Sequence, residues 1–278
     1  MVNMIVYDNH IHLNYQGDYI NSVKRFIKEG GNFINICNLP SMDKPFDIEY
    51  FKEQYERTIN ISQNVKKNFE IGVLTTIGPY PVDFIKSSEK LGFENAFELF
   101  KDAIELAIEY IRENKANAIG EIGRPHFETD KKIIEYSNKI LEFAMIESKK
   151  YNIPIILHTE SADKKLFKEL AEMAERTGIE KMKIIKHFSP PSVLYDENFG
   201  IFPSIIASRE NVKEAMKKGT RFFLETDYLD DPKRPGAVLD ITSVPKRYRM
   251  IENIDKEYLE KYVIDLEENI KKIYNIDL

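Results

Sequence analysis

The chain has 278 residues, of which 42% are hydrophobic and 31% charged, a balance that excludes a disordered or low-complexity polymer and suits a well-cored globular protein. Its net charge of -6 excludes nucleic-acid binding by bulk charge, so a polyanion would need a local basic patch. The single cysteine, Cys37, excludes an intramolecular disulfide and a cysteine-based zinc site, and suits a reducing compartment. No run approaches the ~20 apolar residues of a membrane span. No basic segment followed by an apolar one stands at the N-terminus. The expected location is the cytoplasm.

Short apolar runs alternate with amphipathic stretches along the chain. The first run, Met4 to Tyr7, leads into Asp8-Asn9-His10-Ile11-His12. Alternate side chains of an extended chain share a face, so His10 and His12 point the same way. Residues 19–29 read as a helix with Ile20, Val23, Phe26 and Ile27 on one stripe, ended by Gly30-Gly31. The second run, 33–37, contains Cys37, which reads as a strand residue. A helix over 47–68 follows. The third run, 70–77, closes at Gly78-Pro79-Tyr80-Pro81, a loop signal. Then come a long helix over 94–114, a fourth run over 116–122, and a helix over 130–151 with Asp130 as its N-cap. The fifth run, 154–157, precedes a helix from about 162 to 177, stopped by Gly178. After the sixth run, 183–186, Pro190 and Pro191 leave room for one short helical turn. The seventh run is 201–207, a short helix over 210–218 ends at Gly219, and the eighth run is 221–225. A long polar loop and a terminal helix over 256–274 complete the chain.

Eight strands separated by helical stretches imply a parallel sheet, and in a chain of this length a closed barrel. The expected fold is α/β: a single (β/α)8 TIM barrel with a distal C-terminal helix, residues 1–278 forming one domain. A doubly wound open sheet is the alternative, but no Gly-rich phosphate-binding turn follows the first strand.

Functional groups of a barrel gather at the C-terminal ends of its strands. There stand His10 and His12 on strand one, Glu121 within Gly120-Glu121-Ile122-Gly123 on strand four, His158 on five, His187 on six and Asp227 on eight. Four of the five histidines occupy these places. Singly, a strand-end histidine serves structure as readily as a metal, Glu121 can sit at a turn, and Asp227 can cap the next segment. Together they form a shared metal site. His126 reads as a loop or substrate-facing residue, and Glu225 as a strand residue facing the other way. Four imidazoles and two carboxylates exceed the three protein ligands common in catalytic sites. They fit two divalent cations roughly 3.5–4 Å apart with a bridging carboxylate, an arrangement that generates hydroxide at neutral pH and polarises the scissile bond. The reaction class is hydrolysis. The ligand types leave Zn, Mn, Mg, Co and Fe open.

These residues resemble the TatD-related branch of the amidohydrolase superfamily of metal-dependent hydrolases, in a divergent, archaeal-type form. The resemblance runs from Asp8 to the terminal helix. Asp8-Asn9-His10-Ile11-His12-Leu13 is similar to the first-strand motif and Gly120-Glu121-Ile122-Gly123 to the bridging-carboxylate motif. Leu157-His158-Thr159, Lys186-His187-Phe188 and Leu224-Glu225-Thr226-Asp227 resemble the remaining three. The resemblance implies that His10, His12 and Asp227 bind one cation, His158 and His187 the other, and that Glu121 bridges them. It also implies that Asp227 takes a proton from the nucleophilic water. With Glu121 on strand four no carbamylated lysine is needed, unlike the dihydroorotase and classical phosphotriesterase branches.

Three departures from the family pattern fall at the mouth. Tyr80 stands at the histidine position of Gly-x-His-Pro, Gly123-Arg124-Pro125 replaces Gly-Leu-Asp, and Glu160 replaces an arginine. Tyr80, Arg124 and Glu160 are therefore the candidate substrate-binding residues. Arg124, with Lys233, Arg234, Lys246, Arg247 and Arg249 further on, can meet a phosphate or carboxylate, or stand solvated beside Asp230 and Asp231. Tyr80, Phe127, Phe188 and Tyr228 can stack on bases or pack a lid. The expected function is two-metal hydrolysis of a phosphoester, above all a nucleic-acid or nucleotide phosphodiester. Hydrolysis of a carboxylic ester, lactone or amide in a small metabolite is the alternative, and a metal-stabilised binding protein the non-enzymatic one. The expected partner is the small-molecule or nucleic-acid substrate, with no membrane and no obligate protein partner.

Overall fold

The computed structural model describes residues 4–40, 47–231, 233 and 238–278. The architecture is α/β, with a curled parallel sheet of nine strands: β1 (Tyr7–His12), β2 (Phe33–Cys37), β3 (Gly72–Ile77), β4 (Ala118–Gly123), β5 (Ile155–His158), β6 (Ile184–Ser189), β7 (Phe202–Ile206), β8 (Phe223–Glu225) and β9 (Tyr228–Leu229). Their order is β8-β7-β6-β5-β4-β3-β2-β1-β9, and it never reverses as a doubly wound sheet requires. The two ends of this order are neighbours in sequence, separated by Thr226 and Asp227. β9 pairs with β1 at Ile11↔Tyr228 and His12↔Leu229. Between β8 and β9, Asp227 N donates to His10 O at 3.0 Å. Thr226 donates to the Asp8 carboxylate twice, from its N–H at 3.0 Å and its hydroxyl at 2.7 Å.

Ten helices among the described residues connect and cover the strands: α1 (Tyr19–Lys28), α2 (Ile48–Asn68), α3 (Pro81–Leu91), α4 (Phe93–Arg112), α5 (Lys131–Tyr151), α6 (Lys164–Thr177), α7 (Tyr195–Asn198), α8 (Arg209–Met216), α9 (Ser243–Ile254) and α10 (Lys256–Tyr274). Side-chain caps fix several starts: Asp47, Asp130, Asp163, Ser208 and Asp255 each accept a first-turn N–H. Helix and strand faces meet in buried aromatic clusters. One holds Phe51, Phe84, Phe100 and Phe167 from α2, α3, α4 and α6. Another joins Phe222 and Phe223 to Tyr248 of α9 and Tyr262 of α10. Each such ring contributes about 1.5–3 kcal/mol by leaving water.

The structure departs from the expected boundaries in three places. β1 begins at Tyr7, not Met4, and carries the histidines within the strand. Asp8, Asn9 and His10 are fully buried there because polar groups meet them, Thr226 for Asp8, Ser204 of β7 for Asn9 and Cys37 of β2 for His10. The loop read at Gly78 to Pro81 ends sooner than expected, because Pro81 takes the first position of α3, where a missing N–H costs nothing. The long polar loop contains α9. Its charged residues mask a buried stripe of Val244, Tyr248 and Ile251 at helical spacing. Arg234 lies outside the described residues.

The α3 helix also buries a carboxylate. Asp83 is 1% exposed and accepts a hydrogen bond from the Tyr50 hydroxyl at 2.8 Å. Burial pushes its pKa from 3.8 up to about 6, against the pull of Tyr50 and Lys86. A carboxyl with a raised folded pKa penalises the folded state above that pKa, and the penalty fades as pH falls through 6 toward 4. Asp83→Asn keeps an acceptor for Tyr50 without the charge. Urea denaturation should show the variant more stable by about 1–3 kcal/mol near neutral pH, with a flatter pH dependence between about 4 and 6. A variant less stable than wild type at neutral pH would contradict this account.

Candidate metal centre

The strand period of two places the His10 and His12 rings together on β1, with their Nε2 atoms 3.1 Å apart. Cys37 of β2 supports both. His12 Nδ1 lies 3.2 Å from the Cys37 carbonyl, which can only accept; the proton is therefore on Nδ1 and the Nε2 lone pair faces inward. The Cys37 thiol lies 3.4 Å from His10 Nδ1.

Glu121 of β4 occupies the centre. Its Oε1 is 2.9 Å from His158 Nδ1 of β5, 3.5 Å from His187 Nε2 of β6 and 3.7 Å from His10 Nε2. Its Oε2 is 3.6 Å from His12 Nε2. Asp227, turned into the site by a backbone φ of +51°, places Oδ1 3.5 Å from His12 Nε2 and 3.9 Å from His10 Nε2. Three groups of converging donor atoms result, His10–His12–Asp227, Glu121–His158–His187 and His10–His187–Glu225, each with its atoms within 4.8 Å of one another. All six residues expected at the strand ends are thus brought together.

Burial opposes charge on these groups, and neighbours reverse the outcome for Glu121, Asp227 and His10 but not for His187. For Glu121, the imidazoles of His10 and His158 outweigh burial and hold the carboxyl well below its usual range. Asp227 is lowered against burial by His187, His12 and His10. For His10, burial is outweighed by Cys37 and Glu121, which raise its proton affinity well above the ordinary value. His187 is lowered, because burial exceeds the pull of Glu225. Ionised carboxylates beside imidazole nitrogens of fixed orientation, almost closed to water, are a donor set suited to a divalent cation.

Three supporting groups lay outside the sequence expectation. Glu225 does not face away from the site: its Oε1 lies 2.8 Å from His187 Nδ1 and accepts Phe188 N at 2.7 Å, while Oε2 accepts the Ser204 hydroxyl at 2.5 Å. Its place two residues before Asp227 is the signal for a shared face. Asp8 is buried, and burial pushes its pKa up to about 7 against its bonds from Thr226 and His10 N. His126 places Nδ1 2.9 Å from the outer nitrogen, Nε2, of His158, and the Tyr80 hydroxyl lies 3.3 Å from the same atom.

The mouth residues fall into place as follows. Arg124 is 6% exposed; its Nε donates to Asn138 at 2.7 Å and its Nη1 to Glu160 at 3.0 Å and Glu169 at 3.2 Å. Two of the three departures from the family pattern, Arg124 and Glu160, are therefore partners of each other. Gly123 permits this path, for at φ +139° a Cβ would lie 2.4 Å from His158 O, the carbonyl that Arg124 N reaches at 2.9 Å. Phe127 and Phe188 are exposed, whereas Tyr228 is buried with its hydroxyl 2.8 Å from Ser22. Lys246, Arg247 and Arg249 stand on α9, and Lys233 is exposed in the loop before it.

The family model described as "TatD related DNase" matches residues 7–275. An uncharacterized protein of Methanocaldococcus jannaschii is 34% identical across 98% of this chain and 96% of its own. A second protein of that organism, described as an uncharacterized metal-dependent hydrolase, is 23% identical across 82% of this chain and 84% of its own. Among solved structures, the TatD homologue YjjV of Escherichia coli K12 superposes with a TM-score of 0.64 at 19% identity, covering 98% of both chains. A mutant of the lactonase drPLL of Deinococcus radiodurans superposes at 0.57 with 13% identity, over 98% of this chain and 95% of that one. The five strand-end motifs, the assembled carboxylates and imidazoles, and a family match over nearly the whole length lead to one conclusion: the chain belongs to the TatD-related family of metal-dependent hydrolases.

Proposed function

We propose that this hydrolase cleaves phosphodiester bonds of nucleic acids or nucleotides in the cytoplasm, using two divalent cations at the mouth of a single closed (β/α)8 barrel spanning residues 1–278. The observation that carries the two-cation reading is Glu121, whose oxygens approach both His10–His12 and His158–His187. Barrel closure is supported by β9, which continues β8 and pairs with β1.

In this reading His10, His12 and Asp227 hold one cation, His158 and His187 the other, and Glu121 both. The imidazole and carboxylate set suits Zn, Mn, Co or Fe better than Mg. When bound, the cations supply Lewis acidity and a water acidified toward neutrality. The residues of the chain do the rest. Cys37 O and Glu225 orient His12 and His187, and His126 with Tyr80 does so for His158. Asp227, kept ionised by three imidazoles, accepts the proton of the attacking water and returns it to the leaving oxygen. Tyr80 and the Arg124–Glu160 pair shape the substrate side, where the exposed rings of Phe127 and Phe188 offer faces to a base.

A second reading, hydrolysis of a lactone, carboxylic ester or amide, is favoured by Arg124. Two glutamates already engage its guanidinium, which leaves less positive charge for a phosphate.

Metal-loaded protein should release nitrophenol from bis(p-nitrophenyl) phosphate and shorten single-stranded oligonucleotides. Turnover of lactones alone, with no phosphodiester cleaved under Mg, Mn, Zn or Co, would reject the first reading in favour of the second. Asp227→Asn should lower kcat by at least about 10²-fold while most metal stays bound. Glu121→Gln should lower metal content by at least one ion per chain in elemental analysis. Unchanged stoichiometry in that variant would refute the bridging role.

A further inference from the structure

Away from the metal centre, the helix that the polar loop conceals carries an unusual surface. A cleft of 510 Å³ runs between α8 and α9, lined by Arg209 and Lys213 from the first and by Lys246, Arg247, Arg249 and Met250 from the second. A second cleft, of 440 Å³, lies on the other side of α9 toward α1, lined by Arg25 and Lys28, and Lys246 belongs to both. No carboxylate among the described residues lines the first cleft. The two acids of the second, Glu29 and Asp240, are each bound to an arginine, Arg249 and Arg25. Arg209 and Lys213 are exposed and make no hydrogen bond or ion pair among the described residues. Among the described residues the Lys246 ammonium hydrogen-bonds the Thr242 hydroxyl, at 2.7 Å, and lies near enough to Glu29 to join Arg249 in lowering its pKa, while Arg247 donates to the Ala207 carbonyl at 2.8 Å. Arg247 loses proton affinity to burial and to the nearby Arg209, and only Glu210 opposes this.

In a chain of net charge -6, so many cations gathered with few partners mark a local field of opposite sign. We propose that α9 and its two flanking clefts form a binding track for a linear phosphate polyanion, separate from the metal centre. The extended course argues for a chain of phosphates over a single small anion, because both clefts are open and Lys246 joins them. Among the described residues the first lining contains no aromatic ring, so recognition is of the backbone and not of stacked bases. Ala207, whose carbonyl Arg247 reaches, donates its own N–H to Glu225 O at the end of β8, so the track begins near the strand ends that carry the metal ligands. The inference rests on the phosphodiester reading only for the choice of a nucleic acid as first ligand. Inorganic polyphosphate offers the same chemistry.

The test is fluorescence anisotropy with metal-loaded protein and a labelled, cleavage-resistant phosphorothioate oligothymidine of about 20 nucleotides. Binding should weaken steeply with salt, and Arg209→Glu with Lys213→Glu should lower affinity at least tenfold. For every phosphate that the variant no longer neutralises, the slope of log K against log salt should fall by about 0.7. The same double variant should hydrolyse bis(p-nitrophenyl) phosphate as wild type does and keep its Tm. Asp227→Asn should bind the oligonucleotide unchanged. Competition by inorganic polyphosphate of similar length separates the sources. Equal competition assigns the track to phosphate chains in general, and weak competition assigns it to nucleic acid. Wild-type affinity in the double variant, no binding of either polyanion, or loss of binding in Asp227→Asn would overturn the proposal. Binding without cleavage would instead leave the track standing and reject the phosphodiesterase reading.

Discussion

The join between the first strand and the segment after the eighth governs the rest of the structure. The Asp8 carboxylate takes both the N–H and the hydroxyl of Thr226, and the next residue, Asp227, rests its own N–H on His10 O. A carboxylate with no solvent exposure is expensive, and the rise of its pKa to about 7 records that cost. Its hydrogen bonds offset the cost and do so at one place only, where strand one meets the end of strand eight. Because Asp227 is held in a left-handed conformation there, its side chain turns toward His12 instead of continuing the strand.

Around that join, the centre is organised by mutual compensation. Glu121 and Asp227 stay ionised because imidazoles face them, and His10 gains proton affinity because Glu121 and Cys37 face it. Each ring in turn has a neighbour behind it: the Cys37 thiol for His10, the Cys37 carbonyl for His12, Glu225 for His187, and the His126 and Tyr80 pair for His158. A donor set so constrained needs little rearrangement to receive a cation, which is the structural meaning of preorganisation.

The six strand-end residues were legible in the sequence because each follows an apolar run, and position at a strand end needs only local pattern. The cores of α2, α5, α6 and α10 were legible for the same reason, and α10 runs over the residues expected of it. What escaped was set by distant partners or masked by composition. Arg124 reads as a free cation until the fold supplies Glu160 and Glu169. Cys37 reads as a plain strand residue until β1 lies beside it. Glu225 was misplaced although its spacing from Asp227 carried the answer. The charges of α9 hid three buried apolar residues, and the proline at the head of α3 reads as part of a loop and not as the start of a helix.

The contact of Asp8 with Thr226 spans 218 positions of the chain. A cation gripped by His10, His12 and Asp227 would close a covalent-like loop of nearly that span. This chain has one cysteine and so no internal disulfide to perform that task. By the loop-closure relation that describes disulfides, such a cross-link restricts the unfolded chain by an amount of order 5 kcal/mol, before any contact energy is counted. The residues proposed to hold that cation would therefore also clasp the chain, joining its first strand to its eighth.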